Sequence, residues 1–140
     1  MLNRTDHQGA KGPVFIGQKL VVFERDNKTD YLPGYIDFPG GGKEAGETVF
    51  ETFQREIKEE FGLDISKDQV DFVKEYPSTR FIGEKAFFVV AKLPEEAAEK
   101  IKFGPEGTGY RIISVEEFMS SNKAVPFMLP RMKDYLSGQA

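Results

Sequence analysis

The chain contains no cysteine and no tryptophan, and a single histidine, His7, among its 140 residues. Without cysteine, disulfides, thiolate nucleophiles and cysteine-ligated zinc sites are excluded, and the composition accords with a reducing compartment. No apolar run approaches the ~20 residues needed to cross a bilayer. The polar opening MLNRTDHQGAKG has no apolar core of a signal peptide, so the expectation is a cytoplasmic protein with no membrane partner. A cationic excess is missing as well: 19 Lys and Arg stand against 23 Asp and Glu, a formal net charge of −4. That argues against a nucleic acid polymer as partner. A polyanionic small substrate would need local Lys or Arg, or a metal.

What the chain does have is phenylalanine, 13 residues of it beside 5 tyrosines, enough for a Phe-rich core in one ordinary domain. Residues 1–12 read as a flexible N-terminal arm and 13–140 as a single domain. Pro13 to Arg25, PVFIGQKLVVFER, is β-branched and aromatic and predicts one or two strands. DNKTDYLPG is turn chemistry. Tyr35 to Phe38 predicts a short strand broken by Pro39 and the glycines Gly40 to Gly42. From about Glu47 to Phe61 the pattern is helical, with Gly62 placed to stop it. QVDFVKEY and EKAFFVVAKL predict neighbouring strands, PEEAAEKI a short helix starting at Pro94, and YRIIS a last strand. Ser114 and Glu117 suit a capping box, and PFMLPRMKDYL suggests a final helix whose start Pro130 limits. Strands mixed with two or three helices imply an α/β fold, helices packed on a mixed sheet.

One stretch of the central helix, QREIKEEFGL, is electrostatically costly. Advancing roughly 100° per residue puts Glu56, Glu59 and Glu60 within one arc, while Phe50, Phe53, Ile57 and Phe61 gather on another. Like charges at such spacings repel by a few tenths of a kcal/mol per pair. A solvated face would explain them. So would a divalent cation, since hard carboxylate oxygens suit Mg²⁺ or Mn²⁺. The preceding FPGGGKEAGE lets the backbone turn sharply and approach a ligand closely.

Taken together, Gly41, then Glu47, then Arg55-Glu56-Ile57-Lys58-Glu59-Glu60-Phe61-Gly62-Leu63 fit the spacing Gly-x5-Glu-x7-Arg-Glu-U-x-Glu-Glu-x-Gly-U, with U aliphatic. At ordinary residue usage, a chance match per window is on the order of one in 10⁸. That spacing is the Nudix box, and the chain therefore resembles the Nudix hydrolase superfamily, its MutT-like members in particular. The resemblance implies a Nudix-type α/β/α sandwich, a mixed sheet between helices. It also implies Mg²⁺- or Mn²⁺-dependent hydrolysis of a nucleoside diphosphate linked to another group X, by attack of water on phosphorus.

By the same resemblance Glu56, Glu59 and Glu60 would be metal ligands or would hold metal-bound water, with the Gly40 carbonyl as a backbone ligand. Glu47 and Arg55 would be orienting residues. The general base would be a glutamate of the box, Glu56 or Glu59, or one in a later loop, for which Glu106 in FGPEGTG is the candidate; an exposed loop acid is the competing reading of that residue. Arg25 would contact phosphate, or be a plain surface arginine, and Asn122 stands where some MutT-like members read the base. His7 has no assigned role. The expected partner is a small nucleotide, most readily a nucleoside triphosphate or an oxidised nucleotide. ADP-ribose or a nucleotide sugar is the alternative, because Tyr76 and Pro77 fall close to marker positions of such hydrolases. A non-catalytic nucleotide-binding module is the alternative of another class. Whether the protein acts as a monomer or homodimer is left open.

Overall fold

A computed structural model of the chain describes residues 1–26, 28, 32–104 and 109–138. Among these it places the strands β1 (Gly9–Lys11), β2 (Val14–Ile16), β3 (Lys19–Glu24), β4 (Ile36–Asp37), β5 (Gly40–Gly42), β6 (Val70–Pro77), β7 (Lys85–Leu93) and β8 (Gly109–Ile113). The helices are α1 (Val49–Phe61), α2 (Val115–Ser120) and α3 (Met128–Leu136).

All the strands share one mixed sheet. β7 runs parallel to β1 and β2 and antiparallel to β6, while β5 pairs with β1, and β4 and β8 pair with β3. Residues 9–16 thus follow β7 as one line interrupted at Gly12 and Pro13. The interruption is a backbone matter: a Cβ at Gly12 would collide with the Val89 carbonyl, and the Gly12 N–H instead donates to Pro39 O at 3.0 Å. The break separates a half bearing the glycine strand β5 from a half bearing β3.

Alternation along β7 sets the layers, because successive side chains of a strand point to opposite faces. Phe87, Val89 and Ala91 join a core cluster with Val49, Phe50, Phe53, Ile57 and Phe61 of α1. Phe88 and Val90 join another with Phe118 of α2 and Met128 and Met132 of α3. The sheet lies between helices, as expected for an α/β/α sandwich. No helix among the described residues is long and apolar enough to cross a membrane.

α1 is defined at both ends. Thr48 Oγ1 accepts the Glu51 N–H at 3.1 Å while the Glu51 carboxylate accepts the Thr48 N–H at 2.9 Å, a capping box that starts the helix two residues after Glu47. Gly62 ends it in the left-handed region at φ 69°, donating to Lys58 O. Pro130 is the third residue of α3, where a missing N–H costs nothing.

Four sequence expectations change. Residues 1–12 are not a loose arm throughout, since Gly9–Lys11 is paired on both edges, to β5 and to β7. Gly40–Gly42 is a strand rather than only a turn, sustained by that pairing. The segment after Pro94 is a 3₁₀ helix, Glu95–Lys100. At Ser114 only half of the capping box forms, for the Glu117 carboxylate turns to Arg111 instead.

Candidate active site

Arg55 is the hub of the glutamate cluster. Its Nε donates to Glu47 Oε2 at 2.6 Å and its Nη2 to Glu47 Oε1 at 3.1 Å and to Gly42 O at 2.8 Å. Its Nη1 donates to Glu56 Oε2 at 3.0 Å and to Glu59 Oε1 at 2.8 Å. A guanidinium carries five N–H donors in a fixed plane, and all of them are used here. Helix periodicity makes the reach to Glu59 an i, i+4 pair; Glu47 arrives from the loop between β5 and α1, and Gly42 from the end of β5. One side chain thereby locks that loop to the helix. The hydrogen bond from Arg55 holds the Glu47 carboxyl below its ordinary range, and the same bond raises the guanidinium further.

The helical projection gathered three carboxylates, but the structure divides them. Glu60 is buried and turns inward, accepting the Gly40 N–H at 2.9 Å. Glu56 lies against β5 where Gly41 has no side chain; a Cβ there would fall 2.6 Å from Glu56 Cδ. Glu59 is half exposed. Among the described residues no three acidic or imidazole side chains converge as a ready metal cage; Glu56 and Glu59 accept from Arg55, and Glu60 accepts the Gly40 N–H. The donor set nevertheless fits a hard divalent cation: two carboxylates already meet at one nitrogen, and the bare Cα of Gly41 leaves the space that Glu56 fills.

A pocket begins at the same glycines. Its lining includes Gly41 and Gly42, Lys11 of β1, Arg25, Asp37 of β4, Arg80, Phe127 and Arg131 of α3. Four of these are cations and one an acid, so a chain that is acidic overall presents a locally basic cleft. Asp37 is 1% exposed and organises it. Its Oδ2 accepts Lys11 Nζ at 2.8 Å and Arg25 Nη1 at 3.1 Å, and its Oδ1 accepts the Phe38 N–H at 2.8 Å. Arg131, also buried, lies over the rings of Tyr76 and Phe127, 4.7 and 5.3 Å from their centroids, and donates to Pro77 O at 3.2 Å. Tyr76 is held in turn by Asp134, its hydroxyl donating to Oδ2 at 2.6 Å; burial first, then that bond, pushes the phenol's pKa up.

Of the candidate residues, the structure joins Glu47, Arg55, Glu56 and Glu59 directly, and links Gly40 to Glu60. Arg25 lines the adjoining pocket rather than the open surface. Asn122 does not reach it: the residue is exposed in the turn after α2 and is absent from the pocket lining. Glu106 lies outside the described residues. Lys11, Asp37 and Arg131 were not singled out in the sequence. A charge flanked by apolar residues, as in Tyr35-Ile36-Asp37-Phe38, is the signal that could have found Asp37. His7 is buried, with Nε2 2.8 Å from Thr52 Oγ1. Its pKa is lowered by burial and further by nearby Lys43.

Comparison with known proteins gives a consistent result. A family model described as the NUDIX domain matches residues 7–135. No curated protein matches the chain. Among solved structures, a MutT protein from Methanosarcina mazei Go1 superposes with a TM-score of 0.73 at 16% identity, covering 96% of this chain and 98% of that one. An Ap4A hydrolase of C. elegans gives 0.66 at 18% identity, covering 94% and 99%. A bifunctional NMN adenylyltransferase/ADP ribose pyrophosphatase from Francisella tularensis, complexed with AMP and Mn ion, gives 0.66 at 16% identity, covering 98% of this chain and 43% of that one. At these identities the likeness to the solved structures is one of fold.

Proposed function

Because the chain belongs to the Nudix family, we propose that it is a divalent-cation-dependent pyrophosphohydrolase that cleaves nucleoside triphosphates, oxidised ones among them, to a nucleoside monophosphate and pyrophosphate. The observation that carries this reading is the shared wall: Gly41 and Gly42 border both the Arg55 cluster and the basic pocket. A phosphate chain held by the pocket's cations would lie next to the box carboxylates.

Mg²⁺ or Mn²⁺ would be held by Glu56, Glu59 and Glu60 with the Gly40 carbonyl. Bound there, it would neutralise phosphate charge and lower the pKa of the attacking water. The chain's own groups do the rest. Lys11 and Arg25, fixed by Asp37, hold phosphate oxygens, and the partly exposed Phe127, backed by the buried Arg131, offers an aromatic face for the nucleoside. Water oxygen bonds to one phosphorus, the bridging P–O bond breaks towards the other phosphate, and a box glutamate takes the proton. Glu59 is assigned that role, its half-exposed carboxylate being reachable by water, while Glu56 is pinned against Gly41 of β5. Arg55 and Glu47 orient both.

ADP-ribose and nucleotide sugars form the second reading, favoured by the way Pro77 O and Tyr76 hold Arg131 in the pocket. A hydrolysis panel with Mg²⁺ decides between them: nucleoside triphosphates, 8-oxo-dGTP, ADP-ribose, nucleotide sugars and dinucleoside polyphosphates. Triphosphates are expected to show the highest kcat/KM; a preference for ADP-ribose would install the second reading. Binding without turnover of any member would make the protein a nucleotide-binding module.

Arg25→Ala is expected to raise KM about tenfold with kcat changed less than about threefold, the pattern of lost binding rather than lost chemistry. The fold should tolerate the change, since Asp37 keeps Lys11 and the Phe38 N–H as partners. Steady-state kinetics on the preferred substrate checks this; a KM equal to wild type would remove Arg25 from substrate binding.

A further inference from the structure

His7 takes no part in the chemistry above, yet its environment is highly specified. The ring is 4% exposed and edge-on to Phe87, with centroids 6.2 Å apart. Its Nε2 meets Thr52 Oγ1, and its Nδ1 is buried with no hydrogen-bond partner among the described residues. Thr52 Oγ1 has two further neighbours, Glu47 Oε1 and Thr48 O, each at 3.1 Å.

Proton counting fixes the direction of these bonds. A hydroxyl has one proton to give, while a carboxylate and a carbonyl can only accept. Giving that proton to Nε2 would leave two bare oxygens facing the hydroxyl oxygen at 3.1 Å and strand a buried Nδ1–H, so the arrangement favours the proton going to the oxygens and His7 Nε2 donating. The orphaned Nδ1 agrees: in this tautomer it is a bare lone pair, and an unpartnered buried acceptor is tolerated better than an unpartnered buried N–H. A continuous line results, from His7 Nε2–H to the Thr52 hydroxyl, to Glu47 Oε1, to Arg55, and through its Nη1 to Glu56 and Glu59.

The main chain holds His7 in place independently of its ring. Leu2 O accepts the Phe50 N–H at 3.0 Å and Arg4 O the Val49 N–H at 2.8 Å, both first-turn donors of α1. The Gln8 N–H donates to Lys85 O at 2.7 Å, and Gln8 O accepts the Lys43 N–H at 2.9 Å. Residues 2–8 are thus strapped across the start of the box helix, and a changed side chain at position 7 leaves the strap attached.

We propose that His7 is a positioning residue for the proposed hydrolysis: as the Nε2–H tautomer it turns the Thr52 hydroxyl towards Glu47, so that Glu47 keeps Arg55, and Arg55 keeps Glu56 and Glu59, in their places. Without the imidazole, the hydroxyl falls back on the Thr48 carbonyl, the common i−4 bond of a helical threonine.

Two arms test this, one of them independent of turnover. In long-range ¹H–¹⁵N spectra of the substrate-free protein at neutral pH, His7 is expected to show a protonated Nε2 and a bare Nδ1. The Arg55 Nε–H is expected to exchange with solvent about fivefold faster or more in His7→Leu and in Thr52→Val, as a loosened network opens more often. The opposite tautomer, or unchanged exchange in both variants, would overturn the proposal even if no substrate were ever turned over. In kinetics, His7→Leu and Thr52→Val should each lower kcat about tenfold, the usual scale for a residue supporting ligands from behind, with KM held within about twofold. The double variant should be no worse than either single, because both cut one line. His7→Gln, whose amide N–H can take the place of Nε2–H, and Thr52→Ser should restore most of the rate; His7→Asn, whose amide ends nearer the Nδ1 position, should not. Additive losses, or His7→Gln as impaired as His7→Leu, would return His7 to simple core packing.

Discussion

Glu59→Gln is expected to lower kcat by about 10²–10³-fold, the scale seen when a group acting on developing charge is removed, with thermal stability close to wild type. The side chain is 55% exposed, and its one described ion pair is with Arg55, an exposed i, i+4 contact worth about 0.3–0.5 kcal/mol. Arg55 keeps Glu47, Glu56 and the Gly42 carbonyl when that pair is lost. The amide preserves the shape but is a poorer cation ligand and no proton acceptor. Loss of turnover with an unchanged melting temperature is the signature of a chemical role. A variant with wild-type kcat would take Glu59 out of the reaction.

Gly41→Ala should be nearly as damaging to activity, for a geometric reason. Gly41 needs no left-handed backbone conformation, so alanine introduces no torsional strain. What its Cβ meets is the Glu56 carboxylate, with Oε1 at 2.7 Å and Oε2 at 2.8 Å. Such contacts are shorter than van der Waals packing allows, and the end of a flexible side chain gives way more easily than the sheet. Glu56 must move by an ångström or so, and displacements of that size cost about 10²-fold in rate. Stability should fall by about 1 kcal/mol or less. Gly46→Ala is the complementary control: at φ 82° with open space around the added methyl, it strains the backbone by about 1 kcal/mol and leaves the carboxylates alone. Calorimetry should show comparable small losses for the two variants, while kinetics separates them, with only Gly41→Ala losing activity. A fully active Gly41→Ala would mean that the position of Glu56 is immaterial.

Periodicity is what made α1 legible. Phe50, Phe53, Ile57 and Phe61 recur at helical spacing and all reach the core, and Gly62 ends the helix as its sequence position suggested. The box spacing likewise points to Glu47, Arg55, Glu56 and Glu59, which the Arg55 hydrogen bonds join. Their division of labour was not readable, because it depends on partners distant in sequence. Glu60 turns inward for the N–H of Gly40, twenty residues away, whereas a helical wheel sees only neighbours on the helix. β1 escaped notice because Gly9, Ala10 and Lys11 have little strand propensity of their own; pairing on both sides makes the strand. The pocket cations come from four separate segments of the chain, and only Asp37 and the fold bring Lys11 and Arg25 together. Asn122 precedes the last helix in sequence, but sequence order says nothing about the face of the turn that carries it, which is exposed and outside the lining of the described pocket.

The most direct measurement of the proposed activity is the ³¹P spectrum of a nucleoside triphosphate turned over by the protein in Mg²⁺, recorded before and after addition of excess EDTA. The expected result is growth of nucleoside monophosphate and pyrophosphate signals that stops on chelation and resumes when Mg²⁺ is restored. Release of inorganic phosphate with a nucleoside diphosphate, or turnover indifferent to chelation, would contradict it.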